Sequence, residues 1–575
     1  MSSSQIKLSK FELIPNEVLL EIFEYLSPYN IFQAFYYLNS RYNDLLISLH
    51  VRINLLNKYK KIFDYYNYFL FPLVPYNIIS FRCEDICDRL IYQIRLSEFI
   101  SLKYLTIFNL NIETLQIIIP QLSKLEKLIY LNLQTKNNIN IENEIIFQRQ
   151  LPLIQTCILN LNKKISFQNE HFYPNLKDLI LNQCNIEDLG LFIQNYTPQL
   201  QHLTVTLIGG KIPEEIDKIH HLKSLIINSH TIPFHRLTNS IFNLFRDLQR
   251  LSINATGIEY TNGKQWQTLL SSKFPQLNCF QLHIIFPQED TPTSDDRVQL
   301  LKTFETSYFR HHKWYFAFIY CPSMTNIELF SLPMINKKID VNLYNTSIET
   351  TMNDEHTFKN IKELSLVLTD PNETSSPLFN SCFFNVENLK LISEFREYQP
   401  FPKNLYVDIS RFIKFSHIKS MELIGMHFPS TILILLDYMP NLHSITITLN
   451  HLNKMTKTLT DNKICQHLTK LIKHLTITSI DNVKDLLFFE RLPIVFIHLE
   501  SLSLSLENVQ DLYILTTLLL SKMARILKTM NIFIRTPSKN TILDQFMLWL
   551  FDYIHQRDLD YVDVKLTDYQ LYFCF

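Results

Sequence analysis

From about residue 100 onward the chain repeats one arrangement of apolar and variable positions: apolar-x-x-apolar-x-apolar. It occurs at Leu102/Leu105/Ile107, Leu128/Leu131/Leu133, Ile154/Cys157/Leu159, Leu176/Leu179/Leu181, Leu200/Leu203/Val205, Leu222/Leu225/Ile227, Leu248/Leu251/Ile253 and Leu277/Phe280/Leu282. It resumes at Met324/Ile327/Leu329, Ile361/Leu364/Leu366, Val386/Leu389/Leu391, Ile418/Met421/Leu423, Leu442/Ile445/Ile447, Ile472/Leu475/Ile477 and Leu499/Leu502/Leu504. Leu527/Met530/Ile532 and Leu559/Val562/Val564 are weaker copies. The spacing is 22 to 29 residues through the first eight copies, then 24 to 32 apart from two wider gaps. Alternate residues of a strand share a face, so the second and third apolar positions predict a short strand with one buried side. One such unit cannot bury that side alone, whereas a stack of them can.

The first fifty residues follow a different period. Pro15 suits a helix start, and apolar residues fall at Val18, Leu19, Ile22, Phe23 and Leu26, one broad helical face. Glu17 stands in the first turn, where a carboxylate favours the positive end of the helix dipole. Ser27 is placed to cap a second helix with Pro28 at its first position, and Ile31, Ala34, Phe35 and Leu38 give that helix its stripe. Asn39 is placed to cap a third, carrying Tyr42, Leu45, Leu46 and Leu49. Three helices this short make a small core and predict an apolar patch left open to a partner. A helical cap on the rest of the chain would show the same periodicity.

Both patterns resemble known families. The run Leu13-Ile14-Pro15-Asn16-Glu17-Val18-Leu19-Leu20-Glu21-Ile22-Phe23-Glu24-Tyr25-Leu26-Ser27-Pro28, continuing through Ile31, Arg41 and Tyr42, resembles an F-box. That module docks a protein onto Skp1 and through it onto a cullin. It departs from the family at Ile14 for the usual Leu, at Asn30 for the usual Asp, and at Tyr42 for the usual Trp. The resemblance implies that Ile14, Pro15, Glu17, Leu19, Ile22, Phe23, Leu26 and Ile31 stand near Skp1. The later pattern resembles a leucine-rich repeat, a short strand followed by a helix. Leu176 to Ile186 extends that match with Cys184 at its Asn/Cys position, whereas His230 and Thr256 stand there in two other copies. The missing Asn favours the irregular, helix-rich form.

The expected architecture is therefore an α+β repeat: a three-helix F-box, then an irregular leucine-rich-repeat α/β solenoid, a horseshoe with a parallel sheet on its concave face. Its divisions are a tail at 1–9, the F-box at 10–50, and a helical, aromatic linker at 51–98. Repeats follow at 99–286 and 324–575, with 287–323 an insertion or a degenerate repeat. The strand positions between the buried ones would line a target-binding face: Lys177, Asp178, Ile180 and Asn182 in one repeat, Gln249, Arg250, Ser252 and Asn254 in another.

Composition narrows the chemistry. Apolar residues make up 46% and charged residues 19%, a globular balance, and the net charge of −1 gives no electrostatic case for nucleic acid or an anionic membrane. The opening Met-Ser-Ser-Ser-Gln-Ile-Lys lacks the apolar core of a signal peptide, and the apolar run 62–81 is broken by Asp64, Asn67, Pro72, Pro75 and Asn77. Nine scattered cysteines suit reduced thiols in cytoplasm or nucleus. Six glycines, at 190, 209, 210, 257, 263 and 425, cannot write a Gly-x-Gly-x-x-Gly, a Walker A loop or a Gly-x-Ser-x-Gly elbow. Cys83-x-x-x-Cys87 stands without a second pair, and His311-His312 cannot share one face, so neither pattern makes a zinc site. The reading is a non-catalytic adaptor that needs no cofactor.

Overall fold

The computed structural model describes residues 10–56, 60–84, 94–135, 151–165, 172–209, 219, 221–286, 292–321, 326–333, 338–343, 346–351, 358–368, 383–393, 405–425, 429–480, 486–507, 512–524, 526–534, 540–557, 562–567 and 570–575. The chain divides into two units, residues 1–259 with 268–280, and residues 260–267 with 281–575.

The first unit opens with helices α1 (Asn16–Glu24), α2 (Pro28–Phe35) and α3 (Ser40–Ser48). The Ser27 side chain accepts from the Asn30 N–H with Pro28 just inside α2, and the Asn39 side chain accepts from the Tyr42 N–H. These bonds satisfy donors that a helix start leaves unpaired. Leu19, Phe23, Ile31, Phe32, Tyr42 and Leu46 are buried, with Phe23 and Phe35 rings 5.1 Å apart.

A parallel sheet follows: β1 (Val51–Asn54), β2 (Ile78–Glu84), β3 (Tyr104–Leu110), β4 (Tyr130–Thr135), β5 (Thr156–Ile165), β6 (Asp178–Cys184), β7 (His202–Leu207), β8 (Ser224–Ser229) and β9 (Arg250–Thr256). Each pairs with the next in chain order. The second and third motif residues lie in register along the stack, as in Leu131↔Cys157↔Leu179↔Leu203↔Leu225↔Leu251, and all are buried. Helices such as Ile112–Leu122 and Ile186–Tyr196 make the crossovers. This is a leucine-rich-repeat-like α/β solenoid.

Residues 51–98 correct the expected helical linker, because β1 and β2 are the first two strands of the sheet. Ile78, Phe81 and Cys83 in fact obey the repeat spacing and are all buried. Between these strands a helical run, Lys60–Tyr65, Tyr66–Leu70 and Phe71–Leu73, does seat the N-terminal helices. The Tyr29 N–H donates to the Tyr66 hydroxyl at 3.1 Å, and the Tyr29 and Tyr36 rings pack on Tyr65 and Phe69 at 5.0 and 5.3 Å. Burial pushes the Tyr66 phenol up to about 12.

In the second unit the strands are β11 (Tyr315–Cys321), β12 (Asn326–Leu332), β13 (Lys338–Asn342), β14 (Ser347–Thr350), β15 (Glu363–Leu368), β16 (Asn388–Ser393), β17 (Ser420–Ile424), β18 (Ser444–Thr448), β19 (His474–Ile480), β20 (Ser501–Leu506), β21 (Thr529–Ile534), β22 (Asp563–Thr567) and β23 (Gln570–Cys574); β10 (Cys279–Ile285) precedes them. β13 and β15 through β21 pair in parallel over one continuous core. β12 pairs antiparallel with β11 and with His283–Ile285 of β10, and β23 runs antiparallel to β21 and β22. The strands that carry Ile327/Leu329 and Val564 of two motif copies are thus not parallel repeats. A period of two reads which face is buried and not strand direction. The four residues between Cys321 and Asn326 are too few for a parallel crossover, which takes about a dozen.

Residues 287–323 hold helices Ser294–Lys302 and Ser307–His311 and strand β11; residues 287–291 and 322–323 lie outside the described residues. Arg297 is anchored there, with its guanidinium over the Tyr320 ring at 4.2 Å and beside Glu349 at 3.5 Å. Among the described residues no helix is long and apolar enough to cross a membrane.

Candidate functional sites: an apolar patch and the open strand face

The structure sorts the eight N-terminal candidates. Leu19, Phe23 and Ile31 belong to the core of the helices, so their expected place near Skp1 is corrected: the period put them on the closed side of the face. Ile14 and Ile22 are half-buried, and Pro15, Glu17 and Leu26 are exposed. Beside them stand apolar residues with large solvent exposure: Tyr25 at 90%, Leu13 at 68%, Leu38 at 60% and Val18 at 42%. These exposed apolar side chains make the outer side of the N-terminal helices the first candidate surface.

Arg41 holds the start of that patch in place. Its Nε donates to Asn16 Oδ1 at 2.8 Å, and its two terminal nitrogens donate to the carbonyls of Glu12 and Ile14. One rigid fork therefore fixes the turn that carries Leu13, Ile14 and Pro15. Periodicity misses Arg41 because its partners lie 25 to 29 residues away in sequence.

The second candidate is the open side of the strands. Lys177, Gln249 and Arg250 are exposed, Ile180 is 37% exposed, and Asp178, Asn182 and Asn254 are half-buried. Ser252 is buried, a correction. It stands in register with Ile226, and a hydroxymethyl is too short to clear that bulkier neighbour. Asn254 donates to Asn228 Oδ1 at 2.7 Å and Asn228 to Thr206 Oγ1 at 3.3 Å, an amide row across β7, β8 and β9.

The strands β15 to β20 are each preceded by a residue whose carbonyl accepts two N–H groups from the next repeat, and Lys528, before β21, accepts from the Phe575 N–H. In the second unit this row reads Lys362, Glu387, Lys419, His443, Lys473, Glu500 and Lys528. Glu387 pairs with Lys362 and, at 2.7 Å, with Lys419; Glu500 pairs with Lys473 at 3.2 Å and Lys528 at 2.6 Å. Hydrogen bonds from these lysines hold both carboxyls below the ordinary 4.5, at about 2. A depressed folded-state pKa contributes stability that is full above the unfolded value and lost as pH falls toward the folded one. Urea midpoints should therefore decline between about pH 4.5 and pH 2, and E387Q/E500Q should flatten that decline. Equal slopes for both proteins would count against it.

Among the described residues no group of three or more His, Cys, Asp or Glu side chains is arranged to hold a metal ion. The buried thiol of Cys157 is pushed up to about 12 by desolvation, far from a reactive thiolate.

Comparison with known proteins found no matching family model and no matching curated protein. Among solved structures the chain is similar to one in the mouse RP105/MD-1 complex, at 14% identity and a TM-score of 0.23, covering 76% of this chain and 64% of that one. It is also similar to the leucine-rich repeat-containing protein LegL7 from Legionella pneumophila, at 13% identity and a TM-score of 0.19, covering 56% of this chain and 91% of that one. The chain thus spans about two thirds of the mouse protein's length. Superposition this loose adds nothing to the assignment of the fold, which stands on the strand register.

Proposed function

We propose that this chain is the substrate-recognition subunit of a Skp1–cullin–F-box ubiquitin ligase. The N-terminal helices dock on Skp1, and the open strand face takes a target protein. The chain acts as a non-catalytic adaptor in the cytoplasm or nucleus, and the chemistry belongs to enzymes recruited through the cullin. The observation that carries this reading is the exposed apolar set Leu13, Val18, Tyr25, Leu26 and Leu38, on helices whose own core is already closed. The F-box resemblance of the same residues gives the patch a partner. The test is co-purification with Skp1: the full chain should retain it, and the chain lacking residues 10–50 should not. A folded full chain that never retains Skp1 would sink the proposal.

A second reading is favoured by the packing of Tyr29 and Tyr36 on Tyr65 and Phe69. On it the helices are an end cap of a protein-interaction scaffold with no ubiquitin link. Deleting residues 10–50 would then lower stability and leave every partner in place.

A further inference from the structure

The strand-opening row of the second unit alternates in charge except at one position. Its seven residues form a single backbone ladder, the first six carbonyls each accepting from two N–H groups of the next repeat, so neighbours stand about 4.8 Å apart. Lys362, Glu387 and Lys419 make one clip, and Lys473, Glu500 and Lys528 make another. Between the clips the alternation calls for a third acid, and His443 stands there instead. Lys419 and Lys473 each reach one glutamate on their outer side and are more than half exposed, at 54% and 56%. Their inner sides both face the histidine.

The surroundings of His443 are short of negative charge. Its ring meets His474 edge-on at 5.5 Å, and its Nδ1 has no hydrogen-bond partner among the described residues. Burial, then His474, Lys419 and Lys473, push its pKa down, with Glu500 opposing. Ser420 and Ser444 open the adjacent strands in register and bring half-exposed hydroxyls to the same spot. The nearest acid along β17, Glu422, is engaged by Lys390 at 2.9 Å.

We infer that Lys419, His443, Lys473 and His474 form a docking node for one anionic side chain of a protein partner, a carboxylate or a phosphorylated residue. The bound anion does between Lys419 and Lys473 what Glu387 and Glu500 do on either side. Two lysines and two imidazoles supply charge-assisted donors, and the serines supply neutral ones. The inference rests on reading the strand side as the target face and is independent of Skp1.

The test uses the full chain and three short peptides identical except at one residue: phosphoserine, glutamate or serine. Binding is followed by the ring resonances of histidine, with His443 assigned from H443Q. The phosphoserine or the glutamate peptide, or both, should shift the His443 resonance, and which one does so identifies the source of the anion. The serine peptide should not shift it. K419M/K473M should weaken that binding at least tenfold. H443E should complete the alternation internally, which raises the melting temperature and abolishes peptide binding. A shift caused equally by the serine peptide overturns the inference, as does binding unchanged in K419M/K473M, a folded H443E that binds like wild type, or no binding by either anionic peptide.

Discussion

Replacing Val18 and Leu26 together with aspartate should lower affinity for Skp1 by a factor on the order of 10³ or more and leave the fold intact. Both side chains are about 40% exposed, Val18 at 42% and Leu26 at 40%, so the changes should alter stability by only about 0.5 kcal/mol each. In a desolvated apolar interface each unpaired carboxylate costs several kcal/mol, and every 1.4 kcal/mol is about a tenfold loss. Leu19→Ala makes the contrast. Leu19 is fully buried, so its truncation leaves a cavity worth roughly 2–5 kcal/mol and should lower the urea midpoint as well as Skp1 retention. Titration calorimetry with circular dichroism separates the two. A double aspartate variant that still binds Skp1 at wild-type affinity would show that the patch serves some other partner.

This contrast was not available from the sequence. A helical period of 3.6 identifies an apolar face but not which of its residues close the core and which stay open. Leu19 and Phe23 share one stripe with Ile22 and Leu26, and only the folded helices separate them, burying the first two and leaving Ile22 half-buried and Leu26 exposed. In the solenoid the spacing carried more information, because burial of one strand face is a local property. Leu179 and Leu181 or Ile445 and Ile447 are inward wherever the strand pairs. What local spacing lacks is direction, so the antiparallel β12 and β22 carry the same signature as parallel repeats. Cys83 illustrates a different loss. Read as a thiol it drew attention to Cys87, which lies outside the described residues, and away from its place as the third inward residue of β2. The charge row was also invisible, since its partners are 25 to 32 residues apart and each looks like an ordinary surface lysine or glutamate until the register is known.

The largest expected loss of stability comes from a residue that no repeat motif marks. Trp266 is fully buried in the second unit, and its indole N–H donates to the Tyr260 carbonyl at 2.7 Å. Trp266→Ala should cost about 3–5 kcal/mol, because it opens a large cavity and removes that donor. With slopes of about 1–3 kcal/mol per molar urea, the midpoint should fall by on the order of 1 M or more. Trp266→Phe keeps most of the volume and loses the hydrogen bond alone, so it should cost nearer 1–3 kcal/mol. The helix that carries the indole is pinned by close approach at its first residue. The Gly263 N–H donates to Thr303 Oγ1 at 2.7 Å, and a Cβ at Gly263 would stand 2.5 Å from the Thr303 carbonyl oxygen and 2.7 Å from Phe304 Cγ. Gly263→Ala must therefore shift backbone and not merely a flexible side chain, a strain of about 1–3 kcal/mol. The expected order of urea midpoints is wild type, then Gly263→Ala and Trp266→Phe, then Trp266→Ala. If Trp266→Ala melts with wild type, the indole is not holding the segment Tyr260–Gln267 against Thr303 and Phe304.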